Sequence, residues 1–83
     1  MMRILFFGRL SEVAGASERE VALPPGVSDL AGLRSWLARQ DGRLGEAMSG
    51  LRVRTAVNGT LATGNVPLAG NEEVAFMSPV SGG

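Results

Sequence analysis

The sequence closes on SPVSGG, Ser78 to Gly83, and the reactive group of this segment is the α-carboxylate of Gly83. Gly82 and Gly83 carry no Cβ, so the walls of another protein can close tightly around their backbone. Pro79 cannot donate to a sheet ladder and pushes Ser78 toward extended geometry, so a preceding strand should leave its sheet there. Residues 78–83, fully extended, would project roughly 20 Å at about 3.3 Å each. The segment reads as a narrow arm, with Gly83 as its working end and Pro79, Val80, Ser81 and Gly82 as its shaft. The plainer reading is a frayed terminus, the ordinary state of chain ends.

Side-chain chemistry is scarce elsewhere. The chain has no cysteine, histidine, lysine or tyrosine, and all eight basic residues are arginine. No thiolate nucleophile, imidazole base or zinc-type ligand set can be assembled, and no metal site is expected. There is no amine for a Schiff base, and none to receive an isopeptide bond. A GC-rich genome that favours arginine and alanine over lysine is a sufficient cause, and the consequence is the same. This chain is a poor candidate for a self-sufficient catalyst.

Composition narrows the class further. At 83 residues there is one hydrophobic core, and 45% hydrophobic residues suit a globular protein. Eight acidic residues balance the eight arginines with no run of either sign, so the basic stripe of a nucleic-acid surface is missing. No apolar run approaches the roughly 20 residues of a membrane span, and MMRILFFG lacks the length and cleavage site of a signal peptide. The expected location is the cytoplasm, with neither nucleic acid nor membrane as partner.

The elements that must position the arm follow from periodicity. Arg3–Phe7 alternates as a strand, with Met2, Ile4 and Phe6 inward and Leu5 and Phe7 on the side of Arg3. Leu10–Gly15 reads as a helical turn stopped by glycine. Arg19–Leu23 is a second strand, ended by the PPG turn at Pro24–Gly26. Ser28 can cap a helix beginning at Asp29, whose apolar stripe is Leu30, Leu33 and Leu37 with Trp36 at its rim. Asp41–Gly42 closes it, and Leu44–Met48 suggests one more short turn. Arg52–Asn58 alternates with Val53, Thr55 and Val57 inward. Asn58–Gly59 is a tight-turn signal, Thr60–Ala62 a short return strand, Val66–Glu73 a loop, and Glu73–Met77 the last strand, with Ala75 and Met77 outward. One main helix on one sheet gives a two-layer α+β domain over residues 1–77, with an extended tail over 78–83.

ILFFGRLSEVAG at the start, AVNGTL (Ala56–Leu61) and PLAGNEEVAFMSPVSGG (Pro67–Gly83) together resemble the molybdopterin synthase small-subunit (MoaD) family of ubiquitin-like β-grasp sulfur carriers. The resemblance spans nearly the whole chain. It is most specific at the end, where the family closes on a pattern like DEVAFFPPVSGG. Gly82, Gly83, Glu73, Val74, Ala75, Phe76, Pro79 and Val80 match it. Asn71 stands in place of a glycine, tolerable because asparagine visits left-handed turns. Met77 replaces an aromatic residue. Ser78 replaces the first of two prolines, which should loosen the tail slightly.

The resemblance implies a mixed-sheet β-grasp fold and a sulfur-transfer cycle. The Gly83 carboxylate is adenylated with ATP by a MoeB-like activating enzyme, converted to a thiocarboxylate by a sulfur donor protein, and inserted into the MoaE-like large subunit. There it gives its sulfur to a pyranopterin precursor, in an expected heterotetramer. No bound cofactor is implied; the acyl-adenylate and thiocarboxylate are transient covalent forms. The residues agree with such a cycle, because a carboxylate is a poor electrophile and adenylation supplies its leaving group. Strand parity turns Phe7 and Met77 outward, and Leu61 matches part of the family's apolar docking patch; the three are candidate partner-binding residues. Alternatives are a carrier for thiamine or another pathway, a ubiquitin-like protein modifier, and a plain interaction module.

Overall fold

The computed structural model describes residues 1–50 and 53–78. The elements follow in the order β1 (Met2–Phe7), α1 (Arg9–Ala14), β2 (Glu18–Val21), α2 (Leu30–Gln40), α3 (Gly42–Gly50), β3 (Arg54–Val57), β4 (Thr60–Leu61) and β5 (Glu73–Met77). They build one five-stranded sheet in the order β2-β1-β5-β3-β4. β1 and β5 are parallel, and the other neighbours are antiparallel. One face of this mixed sheet is covered by the helices; this is the ubiquitin-like β-grasp arrangement.

Alternation puts Met2, Ile4 and Phe6 of β1 under the helices, together with Val74 and Phe76 of β5 and Thr55 of β3, all buried. Phe6 and Phe76 are register partners, and their rings stack with centroids 6.1 Å apart. Leu10 of α1, Leu30, Leu33 and Leu37 of α2, and Leu44 and Met48 of α3 close the same core from above. Trp36 is partly buried at its rim. Arg19 lies on the inner face of β2, its guanidinium 5.7 Å from the Phe6 ring centroid and donating to the Ala14 carbonyl. It seals the β2 edge of the core with its stem.

The helical layer departs from expectation in two places. The cap of α2 is Asp29, one residue later than Ser28: Asp29 Oδ1 accepts the Gly32 N–H at 2.8 Å. The other free amides of that first turn are also satisfied, Leu30 N–H by the Val66 carbonyl and Ala31 N–H by Asn65 Oδ1. Asn65 Nδ2 in turn donates to Asp29 Oδ2. The second departure is α3, a nine-residue helix where a single turn is expected. Asp41 ends α2, and its Oδ1 accepts the N–H groups of Arg43 and Leu44, so one residue separates two helices. Gly45 hid this helix from the sequence because glycine lowers helix propensity by about 1 kcal/mol. It is there for packing: a Cβ at Gly45 would lie 2.6 Å from Ala38 Cβ and 2.8 Å from Ala38 Cα.

Two loops fix the sheet. Asn58 and Gly59, at φ 51° and 81°, form the tight turn between β3 and β4. Asn58 also pins β5, exchanging backbone and side-chain bonds with Glu73 (2.8 and 2.9 Å). Before β5, the buried carboxylate of Glu72 accepts the N–H groups of Ala69 (2.6 Å), Gly70 (2.8 Å) and Asn71 (3.1 Å). The left-handed residue of this loop is Gly70, at φ 115°, rather than Asn71.

The Ala69 amide, opposed by burial and aided by the other amides, holds the Glu72 carboxyl below its ordinary value of 4.5. A depressed folded pKa stabilises the protein above 4.5, and this contribution is lost as pH falls through the lower folded value. Glu72→Gln should therefore lower stability at neutral pH by about 1–3 kcal/mol and flatten the acid limb of a denaturant-midpoint profile. Some acid dependence should remain, because Asp29 is lowered by its bonds to Gly32 and Asn65. Gly45→Ala should cost about 1–3 kcal/mol in thermal unfolding through overpacking against Ala38, outweighing alanine's better helix propensity.

Candidate functional site

The outer sheet face is built by the residues that alternate with the core. Register sets them in rows across the strands. One row runs Glu18, Leu5, Ala75, Ala56, Leu61. The next runs Phe7, Met77, Arg54. Phe7 is 49% and Leu61 47% exposed, whereas Met77 is half-buried between its neighbours. Phe7 and Met77 are direct cross-strand partners. Leu61 stands beyond β3, about two inter-strand spacings of 4.8 Å from β5. The small residues Ala56 and Ala75 bridge the gap and keep the middle of the face flat.

Charge is confined to the margins of this face. At one end Arg3 lies 3.4 Å from both the Glu18 and the Glu73 carboxylates, all with about half their side-chain surface exposed. Such exposed pairs add little stability, but they give the face a polar border. Arg54 ends the row of Phe7 and Met77 on the other side. An apolar centre with a charged rim is the composition of a protein-binding surface.

The proposed arm begins where this face ends. Pro79, Val80, Ser81, Gly82 and Gly83 lie outside the described residues, so the geometry concerns the base from which they start. That base is the middle of the sheet, since β5 is flanked by β1 and β3. Sequence reasoning assigns Ser78 to the tail and expects its replacement of proline to loosen it. The structure instead ties Ser78 down. Its Oγ accepts the Arg9 N–H at 3.2 Å and donates to the Phe7 carbonyl at 3.4 Å. Gly8 makes room for this contact: it sits at φ 64°, ψ −137°, and a Cβ there would lie 2.5 Å from Ser78 Oγ. No sequence signal links Gly8 to Ser78, because only the parallel β1–β5 pairing joins positions so far apart. The bonds of Asn65 to Ala31 and of Asn58 to Glu73 also join distant positions, whereas the Glu72 carboxylate closes locally on Ala69, Gly70 and Asn71 without a pattern that marks it.

Among the described residues, no three His, Cys, Asp or Glu residues converge as a metal site, and no helix is long and apolar enough to cross a membrane. The two carboxyls with lowered pKa, Asp29 and Glu72, owe it to hydrogen bonds from the loops they hold. Both are structural staples. What the described residues offer is an exposed apolar face with a charged rim, and a firmly held Ser78 at the end of β5.

Known proteins share this arrangement. The ThiS family model matches residues 4–83. The chain is 36% identical over 83 residues, all of both chains, to the molybdopterin synthase sulfur carrier subunit of Escherichia coli. Among solved structures, SAMP1 of Haloferax volcanii superposes with a TM-score of 0.81 at 26% identity, covering 99% of this chain and 98% of that one. A second structure of it, named small archaeal modifier protein 1, gives 0.75 at 23% identity, covering 95% and 97%. A Pyrococcus furiosus chain described as molybdopterin converting factor, subunit 1, shares the fold with a TM-score of 0.72 at 22% identity, over 95% of this chain and 97% of that one. By the family match and the full-length identity, this chain belongs to the ThiS/MoaD family of ubiquitin-like β-grasp proteins.

Proposed function

We propose that this protein is the sulfur-carrying small subunit of a molybdopterin synthase, with the carboxyl group of Gly83 as its working end. The observation that carries this reading is the alignment along all of both chains with the Escherichia coli sulfur carrier subunit, which includes the terminal glycines. The composition supports it: without cysteine the chain cannot hold sulfur as a persulfide, and the terminus is the group that remains.

The cycle needs activation first. The Gly83 carboxylate attacks the α-phosphate of ATP in an adenylating partner and becomes an acyl-adenylate with release of pyrophosphate. A persulfide of a donor protein then displaces AMP to give an acyl disulfide, and a thiol attacks the donor-side sulfur, leaving the thiocarboxylate on Gly83 and a mixed disulfide on the donor. In the large subunit the thiocarboxylate sulfur bonds to the pyranopterin precursor, and water then cleaves the acyl–sulfur bond and restores the Gly83 carboxylate. General acids and bases come from the partner, since this chain has neither histidine nor lysine. The glycine end enters a closed cavity where water is excluded. The outer sheet face of Phe7, Met77 and Leu61 docks on the large subunit, and the Ser78 bonds to Phe7 and Arg9 fix where the arm starts.

A second reading, attachment to other proteins as a modifier, is favoured by the likeness to SAMP1; it too would use a terminal glycine. Intact mass of the protein from cells separates the two. The carrier gains about 16 Da at its C-terminal peptide as sulfur replaces oxygen. A modifier gives high-mass conjugates that vanish when Gly83 is removed. Conjugates without any thiocarboxylate would overturn the carrier assignment. For the docking face, Phe7→Asp should keep the circular dichroism of the parent and weaken binding to the large subunit by about a hundredfold, or 2.7 kcal/mol. Calorimetry that finds unchanged affinity would remove Phe7 from the interface.

A further inference from the structure

On the far side of β3, away from β5, an open groove of about 580 Å³ runs between the first turns of α2 and the β3–β4 edge. It exists because β4 is only two residues long and covers β3 only at Ala56 and Val57. One further bond, Ala62 N–H to the Thr55 carbonyl at 2.8 Å, ends the ladder. Backbone groups alternate in direction along an antiparallel strand. Asn58 bonds toward β5, so Arg54 and Ala56 do as well, and Val53 and Thr55 turn theirs toward the groove. Among the described residues, the Thr55 N–H and both backbone groups of Val53 have no main-chain partner. This stretch of sheet edge is paired, among the described residues, only through the Thr55 carbonyl.

The groove has chemistry to match. Thr55 is only 6% exposed and lines the groove. Arg34 of α2 and Arg54 of β3 line it too, with no acidic residue among the lining side chains. Arg54 forms no ion pair among the described residues, and Arg34 makes one long contact, 3.5 Å to the Met48 carbonyl. A guanidinium has five donors, so most remain available. The α2 N-terminus is not the attraction, because its amides are already bonded to Asp29, Asn65 and Val66. Leu61 and Leu30 supply apolar walls.

We propose that this groove binds an extended acidic segment of a partner protein. The segment adds as a strand to the open edge at Val53 and Thr55 and places a carboxylate between Arg34 and Arg54. Strand addition uses main-chain bonds for affinity and side-chain pockets for selectivity, and here the selecting groups are the two arginines and the Thr55 hydroxyl. The proposal does not need the sulfur-carrier reading: it uses the sheet edge, and it shares Leu61 and Arg54, but not Phe7 or Met77, with the outer face.

The test is an amide-resolved NMR titration of the isotope-labelled full chain with a blocked peptide of alternating valine and aspartate. A matched valine–lysine peptide and inorganic phosphate serve as comparison probes. The aspartate peptide should shift the Val53, Thr55 and Ala62 amides and slow exchange at the first two. The lysine peptide should bind about tenfold more weakly or worse, and Arg34→Gln with Arg54→Gln should reduce aspartate-peptide affinity similarly. Phe7→Asp should leave this binding unchanged. No shifts, or shifts confined to the Phe7 and Met77 face, would refute the proposal. So would equal binding of the lysine peptide, unchanged affinity in a well-folded double variant, or phosphate reproducing the same shifts, which would make the groove a small-anion site.

Discussion

The parallel ladder between β1 and β5 joins the first strand of the chain to the last, pairing Arg3 with Glu73 through to Phe7 with Met77. A parallel pair cannot be made by a local turn and needs a long crossover. The intervening helices and the β3–β4 hairpin are that crossover; the helices cover one face of the sheet and the hairpin extends it. On the helix-covered face the ladder stacks Phe6 on Phe76; on the other it sets Phe7 beside Met77. Core and exposed apolar face are thus two sides of one register. A slip by one residue would exchange them, which is why Asn58, through its paired bonds to Glu73, matters beyond its own turn.

Placing the last strand at the centre has a mechanical consequence. Terminal segments usually fray because they are held on one side only, but β5 is bonded to β1 and β3 at once. Whatever follows Met77 therefore starts from a fixed position, reinforced by Ser78 bridging the end of β1 and the start of α1. A segment that leaves from a firmly held base has its direction set before it meets anything else.

Polar groups in this molecule are committed to geometry. Glu72 gathers three amides of the loop before β5, and Asp29 and Asn65 together close the first turn of α2. These side chains lie in loops that join distant parts of the chain, so they convert backbone groups that would be unsatisfied into fixed corners. The contrast with the open edge at Val53 and Thr55 is physical: where the loops satisfy the backbone the molecule is closed, and where β4 stops short it stays open.

Sequence alone determined the alternation of Arg3–Phe7 and Glu73–Met77, the Leu30, Leu33 and Leu37 stripe, the Asn58–Gly59 turn and the absence of cysteine, histidine, lysine and tyrosine. Each is a local or compositional property, written in periods of two or 3.6 residues or in the absence of a residue type. It placed Phe7 and Met77 outward by parity, and the resemblance added Leu61, but neither could show that Leu61 stands two strands away from Met77. Tertiary structure alone decided the length of α3, where a glycine that weakens a helix serves its close packing on Ala38. It also decided the cap at Asp29, the Glu72 staple and the Gly8–Ser78 contact. The Gly8–Ser78 contact and the Asn65 bonds at the Asp29 cap join positions that strand order and loop packing bring together, a distance no linear pattern carries. The Asp29 and Glu72 bonds to nearby amides are local and follow from the backbone path the fold imposes there.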